Sequence, residues 1–165
     1  MSGMYRLNTG IVLFNKEGKV FVCDRKDTAE ASWQFPQGGM DAGETPLQTA
    51  QRELFEETGI KNIKVIAQTQ KPIRYDFPPS ILEKFKKLGR QNIGQEQYWV
   101  LAFYEGDLSE IDFSVNPQEI EFTRFQWVDF AVAVDGIVDF KKDVYRKVEK
   151  EFSPLIQKFL SDNKF

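Results

Sequence analysis

The sequence predicts an α+β domain, arranged as an α/β/α sandwich around a mixed β-sheet, for three reasons. The chain has 165 residues, the length of one domain, and 41% of them are hydrophobic, enough for a core. Runs of β-branched and aromatic residues recur along the chain, with stretches of helical character in the middle and at the end. No repeat or linker divides it, so residues 1–165 are expected to form a single domain.

Strands are predicted where β-branched and aromatic residues run together. Residues 5–15 and 19–25 should form a hairpin across the turn sequence "KEG", and residues 32–39 a short strand that enters a glycine loop. The single cysteine, Cys23, falls in the second of these strands, so we expect a buried structural thiol. Further strands are predicted at residues 62–70, 97–106 and 119–130.

A central helix is predicted at residues 46–58 from its capping residues. Thr45 and Gln48 fit a capping box, in which each residue satisfies a backbone N–H of the other. Pro46 suits the first helical position, and Gly59 suits the C-terminal cap.

The end of the chain predicts an amphipathic helix at residues 139–152, with apolar side chains at intervals of four. Pro154 is expected either to kink this helix or to begin a second one that runs to residue 162. Between the strands, residues 75–92 are predicted to be a loop that contains a basic segment, formed by Lys84, Lys86, Lys87 and Arg90.

The composition excludes several kinds of chemistry. The chain has no histidine, which excludes Ser-His-Asp and Cys-His catalysis and histidine-ligated zinc sites. It has a single cysteine, which excludes a zinc site made of several thiolates. A metal would therefore need oxygen ligands, which suit Mg²⁺, Mn²⁺ or Ca²⁺. The net charge of -3 argues against wrapping of nucleic acid, and no DNA partner is expected. Without a signal peptide or a long apolar span, we expect a cytoplasmic protein with no membrane partner.

An acidic stretch coincides with the central helix. Five acidic residues fall within the 17 positions from Asp41 to Glu57. At helical spacing, Glu53, Glu56 and Glu57 share one face, beside an apolar stripe that should pack on the sheet. Like charges at this spacing repel by roughly 0.2–0.5 kcal/mol per pair. A bound cation would compensate for this repulsion, and the alternative is an acidic face held in solvent.

The spacing of the whole stretch, residues 38–60, resembles the Nudix box. Its fixed positions are matched by Gly38, Glu44, Arg52, Glu53, Leu54, Glu56, Glu57, Gly59 and Ile60. The resemblance to Nudix hydrolases implies an α/β/α sandwich with the box helix at its centre. It also implies a Mg²⁺-dependent attack of water on a diphosphate, with Mn²⁺ as a substitute for Mg²⁺.

The same resemblance implies which residues are catalytic and bind metal. Glu53, Glu57 and Glu56 are the implied ligands on the helix, and the Gly38 carbonyl is an implied backbone ligand. Glu121 aligns with a downstream acidic ligand, although Glu119 is predicted two residues away on the same strand face. The general base stays open between Glu53, Glu57 and a downstream glutamate. Arg52 and Glu44 are expected to orient the box.

Three other segments, "WQFPQGG", "IGQEQYW" and "FKKDVYRKVEKEF", resemble the RNA 5′-pyrophosphohydrolase branch of this family. Asymmetric diadenosine tetraphosphate hydrolases share much of this pattern. The resemblance implies conversion of a 5′-triphosphate RNA end to a monophosphate, which promotes mRNA decay, and the alternative is a nucleoside polyphosphate substrate. The implied substrate-binding residues are Arg6, Arg25, Gln37, Tyr75, Phe140 and Lys141.

Each of these residues also has a structural interpretation. Arg6 would then be a surface charge, Tyr75 a core residue and Phe140 the apolar start of a helix. The chain departs from the branch at Tyr98, where a lysine is usual, and in a longer loop at residues 26–31. A binding protein without catalytic activity is the rival from another class, but such a protein would be expected to lack a box glutamate.

Overall fold

The computed structural model describes residues 4–24 and 33–163. In these ranges the strands form one mixed sheet with helices on both faces, the predicted α+β sandwich. The strands are β1 (Tyr5–Phe14), β2 (Val20–Asp24), β3 (Gln37–Gly39), β4 (Ile63–Gln68), β5 (Ile73–Asp76), β6 (Gly94–Tyr104) and β7 (Arg124–Val128). The helices are α1 (Pro46–Thr58), α2 (Pro79–Lys87), α3 (Phe130–Gly136) and α4 (Lys142–Asp162), with short 3₁₀ turns at Leu108–Glu110 and Asp139–Lys141.

The sheet is centred on β1, which pairs in parallel with β6 and antiparallel with β2 and β3. The strand order is β4-β6-β1-β2-β7, with β3 added beside β1 and β5 beside β6. Because side chains alternate along β1, it contributes to two cores. Ile11 and Leu13 pack with Leu54 on the α1 side, whereas Val12 and Phe14 pack towards α4.

Several predicted elements are confirmed. The central helix has the predicted bounds, with the capping box at Thr45 and Gln48 and a left-handed cap at Gly59 (φ 77°). The first two strands pair as predicted, and Cys23 is buried in β2. The short strand before the glycine loop is reduced to Gln37–Gly39, preceded by an isolated bridge at Gln34.

The prediction of a loop at residues 75–92 is wrong. This stretch contains the end of β5 and all of α2. Pro79 lies in the first turn of α2, where a missing backbone N–H costs nothing. The apolar side chains of this short helix then pack on the core beside α4, namely Ile81, Leu82 and Phe85.

The predicted strand at residues 119–130 is too long, because β7 begins only at Arg124. Helix α3, which starts at Phe130, is not predicted at all, although its buried Phe130, Ala133 and Val134 have helical spacing. Pro154 does not begin a second helix, because α4 runs through it without interruption from Lys142 to Asp162. Phe152 and Ile156 are buried on either side of Pro154, and their packing holds the helix across the missing hydrogen bond.

Candidate metal and nucleotide site

Helix α1 positions the acidic residues through its buried stripe. Ala50 and Leu54 are almost fully buried against the sheet, which fixes the rotation of the helix about its axis. The capping box fixes its start: Gln48 N–H donates to the Thr45 hydroxyl (3.2 Å), and Thr45 N–H donates to the Gln48 side chain (3.0 Å). The glutamates of the predicted metal site therefore project from a rigid element.

Arg52 ties this helix to the loop that precedes it. Its guanidinium donates to both oxygens of Glu44, at 2.7 and 2.9 Å, and to the Gly39 carbonyl at 3.0 Å. It also contacts Glu53 at 2.9 Å and Glu56 at 3.4 Å. Arg52, followed by the backbone N–H of Asp41, lowers the pKa of Glu44 to about 2. Glu44 and Arg52 thus hold the box in shape, as expected.

Glu57, unlike Glu44, is buried without a hydrogen-bond donor beside its carboxylate. It is 6% exposed, and neither carboxylate oxygen accepts a hydrogen bond. Burial raises its pKa well above the usual value for glutamate, and the charges of Glu121 and Glu53 raise it further. A buried carboxylate without a donor is costly unless a cation binds it. The donor set around Glu57 therefore fits a divalent ion.

Gly38 and Glu53 are in direct contact. A Cβ atom at Gly38 would lie 2.1 Å from the Glu53 carboxyl carbon, so this carboxylate rests on the β3 backbone where only glycine leaves room. Burial raises the pKa of Glu53, although Arg52 acts in the other direction. Glu53 is thus half-buried between Arg52 and the strand.

The charge of Glu121 raises the pKa of Glu57 and also that of the buried Cys23 thiol. Glu121 therefore lies close to Glu57. Glu119 is exposed. Neither residue belongs to β7, so the expectation that the two share a strand face is wrong. Within residues 4–24 and 33–163, no three acidic side chains are arranged so that together they could hold a metal ion. The site brings together the Glu53, Glu57 and Glu121 charges while Arg52 occupies part of the space between Glu53 and Glu56.

A cleft of about 480 Å³ opens on the α4 side of the sheet. It unites four of the predicted substrate residues, Arg6, Tyr75, Phe140 and Lys141. Tyr75 and Phe140 have ring centroids 6.0 Å apart, and Tyr75 is 8% exposed, so it belongs both to the core and to the cleft wall. Burial raises the pKa of Tyr75, and its hydroxyl donates to Gln95 at 2.6 Å.

Arg6 connects this cleft to the box. A Cβ atom at Gly39 would lie 2.3 Å from Arg6 Nη2, so the guanidinium covers the glycine loop next to Gly38. Gln37, the residue before Gly38, is half-exposed and accepts a hydrogen bond from Asn8. Arg6 therefore lies both in the cleft and against the glycine loop of the box.

Arg25 lies outside the residues that the structure describes, and so does the loop at 26–31. The preceding residue, Asp24, is buried and paired with Arg124 on β7. Asp24 therefore has a structural ion pair in this chain.

Sequence reasoning missed several residues of the cleft. Lys84 and Arg90 of the basic segment line it, whereas the sequence leaves open whether this segment contacts RNA or only solvates a loop. Gln95 also lines it and Gln97 is buried beneath it, on the same face of β6. The alternation within "GQEQYW" is the signal that could have found these two glutamines.

The NUDIX domain profile matches residues 4–148 of this chain. The chain therefore belongs to the Nudix family, whose hydrolases act on phosphorus-containing anhydrides and use divalent metal ions.

Among curated proteins, the chain is similar to the RNA pyrophosphohydrolases of Bartonella henselae and Erythrobacter litoralis. The first is 41% identical over 157 residues, covering 90% of each chain. The second is 44% identical over 156 residues, covering 92% of this chain and 93% of the relative. Among solved structures, the E. coli dihydroneopterin triphosphate pyrophosphohydrolase aligns over 97% of this chain and 99% of its own, with a TM-score of 0.64 and 18% identity. At that identity the likeness concerns the fold.

In the part of the chain that the structure describes, no helix combines the length and apolar character that crossing a membrane requires.

Proposed function

We propose that this protein is an RNA pyrophosphohydrolase that converts a 5′-triphosphate RNA end to a 5′-monophosphate and so promotes mRNA decay in the cytoplasm. The observation that carries the proposal is the position of Arg6, which lines the cleft and also lies against the glycine loop of the box. An aromatic and basic cleft meets the acidic box at Arg6, so one RNA end can reach both. The similarity to RNA pyrophosphohydrolases at 41–44% identity supports this substrate.

Mg²⁺ is the proposed ion, with Mn²⁺ as a substitute, because the donors are carboxylate and carbonyl oxygens. Glu53, Glu56, Glu57, Glu121 and the Gly38 carbonyl would hold it. When bound, a divalent ion would neutralise phosphate charge and acidify the attacking water.

The chain's own residues have separable tasks in this proposal. Glu53 and Glu57 are the candidates for accepting the proton of the attacking water, because burial raises the pKa of each. Arg6 and Lys141 would bind phosphate oxygens, and Phe140 would stack on a terminal base, worth about 1–3 kcal/mol per base. Lys84 and Arg90 extend the positive charge along the cleft.

The test uses γ-labelled 5′-triphosphate RNA with and without Mg²⁺. The proposal expects Mg²⁺-dependent release of the label with monophosphate RNA left behind. Glu53→Gln should lose most turnover while keeping its fold by circular dichroism, whereas Glu151→Gln, at an exposed site on α4, should keep full activity. If the wild-type protein binds triphosphate RNA but does not hydrolyse it, the proposal that the protein is an RNA pyrophosphohydrolase is wrong.

A nucleoside polyphosphate, such as diadenosine tetraphosphate, is the second candidate substrate. The cleft volume of about 480 Å³ favours it, since this size is typical of small-molecule sites. Measuring both substrates with the same preparation separates the two functions.

A further inference from the structure

Three side-chain amides form a hydrogen-bonded chain across the sheet beneath the site. Gln97 Nε2 on β6 donates to Asn8 Oδ1 on β1 at 2.8 Å. Asn8 Nδ2 then donates to Gln37 Oε1 on β3 at 2.6 Å. Asn8 and Gln97 are each 2% exposed, so both belong to the interior, while Gln37 is half-exposed beside the glycine loop.

The direction of this chain determines what Gln37 presents. Each amide accepts through its oxygen and donates through its nitrogen, and both bonds donate towards Gln37. The Gln37 oxygen is therefore occupied by Asn8, and the group left for a ligand is its NH₂. Buried amides keep their hydrogen bonds, so the interior pair holds Gln37 in this orientation.

The position of Gln37 makes this orientation relevant to the substrate. Gln37 precedes Gly38, against which the Glu53 carboxylate rests. Its side chain reaches Asn8, and the next residue on the same face of β1 is Arg6, which lines the cleft. Gln37 thus lies between the cleft that would hold the 5′ end and the carboxylates.

We infer that Asn8 and Gln97 are positioning residues, which orient the Gln37 amide so that its N–H donates to a substrate phosphate oxygen. The inference rests on the proposed function, because it takes a phosphate as the ligand of Gln37. It gives a task to Gln97 in the "GQEQYW" segment, although Gln97 does not line the cleft. An amide oxygen facing the phosphate would instead repel it.

A double-mutant cycle on triphosphate RNA tests this inference. Gln37→Met should lower kcat/KM by about tenfold or more, since it removes a hydrogen bond to a charged group. Gln97→Met should produce a similar loss of about fivefold or more, because Asn8 is then free to rotate. The double variant should be no worse than Gln37→Met alone, because Gln97 acts only through Gln37.

Gln95→Met is the matched control. Gln95 lies on the same strand and face as Gln97, but it accepts from Tyr75 and has no bond to Asn8. Its effect should multiply with that of Gln37→Met, which separates coupling from general damage to β6. Thermal unfolding checks each variant, and Gln97→Glu, closer in shape, replaces Gln97→Met if the latter does not fold. Because a carboxylate cannot donate to Asn8, Gln97→Glu should reverse the direction of the hydrogen bonds that run from residue 97 through Asn8 to Gln37. In the Gln37→Met background, Gln97→Glu should then cause no further loss of kcat/KM.

Multiplicative losses for Gln37→Met and Gln97→Met would overturn the inference, and so would a Gln37→Met variant with wild-type kinetics. Failure of the proposed function looks different, since the wild type would then leave triphosphate RNA intact. In that case the same cycle is run on diadenosine tetraphosphate, where the same coupling is expected and its absence would overturn the inference.

Discussion

The two faces of the sheet carry opposite halves of the site. On the α1 face, carboxylates crowd together and Glu57 has no hydrogen-bond donor. On the α4 face, the cleft places basic side chains between aromatic rings. The acidic half comes largely from one continuous stretch, residues 38–60, whereas the cleft combines residues from β1, β5, α2, β6 and the turn before α4. The acidic half is suited to binding a cation, and the cleft is suited to binding a phosphate group that carries a nucleobase.

The largest expected effect follows from removing the buried charge of the acidic half. Glu57→Gln should lower kcat by about 10³-fold, since metal binding and proton transfer both depend on this carboxylate. Steady-state rates over a range of Mg²⁺ concentrations measure this loss. Full activity at saturating Mg²⁺ would mean that Glu57 is a structural residue.

The contact between Gly38 and Glu53 predicts the next effect. Gly38→Ala should lower kcat by about 10²-fold, because the new methyl group displaces the Glu53 carboxylate. A catalytic group displaced by about 1 Å typically loses about this much rate. Gly136→Ala, which would meet no atom within 4 Å, is the control and should keep its activity. Equal activity of the two variants would show that the Glu53 position is unimportant.

In the cleft, Phe140→Ala should raise KM for RNA by about tenfold with little change in kcat, because base stacking is lost. Val132→Ala, at an exposed site on α3, controls for general effects of truncation. A fall in kcat at unchanged KM would instead place Phe140 among residues that act on the chemical step.

A smaller effect is expected at the edge of the cleft. Lys84→Ala should raise KM by about threefold and flatten its dependence on salt, because one phosphate contact is removed. Exposed Lys150 on α4 provides the comparison, and Lys150→Ala should leave the salt dependence unchanged. Identical salt slopes for the two variants would remove Lys84 from the RNA path.

The two halves should also differ in how pH changes stability. In chelator, the raised pKa of Glu57 means that the folded state holds its proton more tightly than the unfolded state. Its contribution to the free energy of unfolding is therefore complete below the ordinary pKa of 4.5 and is lost as pH rises through the raised value. Glu44, with its pKa lowered to about 2, contributes above the ordinary value and loses its contribution as pH falls through about 2.

Urea denaturation at a series of pH values above 4.5 measures the contribution of Glu57. Wild type in chelator should lose stability as pH rises, and Glu57→Gln should lose less. Stabilisation by added Mg²⁺ should grow over the same range, because the ion binds the deprotonated form. Parallel curves for wild type and variant would contradict the assignment of this titration to Glu57.

The comparison of the two halves also explains what the sequence could predict. Helix α1 was predictable to the residue because Thr45, Gln48 and Gly59 are local signals that no distant contact overrides. Helix α2 was missed because it is short and is stabilised by tertiary packing of Phe85 and its neighbours.

The same limit applies to the site. The Nudix box has fixed spacing within one helix and loop, so its members could be named from sequence. The bonds that join Gln97, Asn8 and Gln37 link residues up to 89 positions apart, and only the strand register brings them together. Likewise, Lys84 and Arg90 were recognised as basic, but their place in the cleft depends on how α2 packs.

The most direct test of the account is a competition between triphosphate RNA and diadenosine tetraphosphate in one Mg²⁺-containing reaction, in which the ratio of the two consumption rates gives the ratio of kcat/KM. The account predicts that RNA is consumed first and that Phe140→Ala and Lys84→Ala both reduce this preference. Faster consumption of the dinucleotide by the wild type would contradict the RNA assignment, and it would make the cleft a site for small nucleotides.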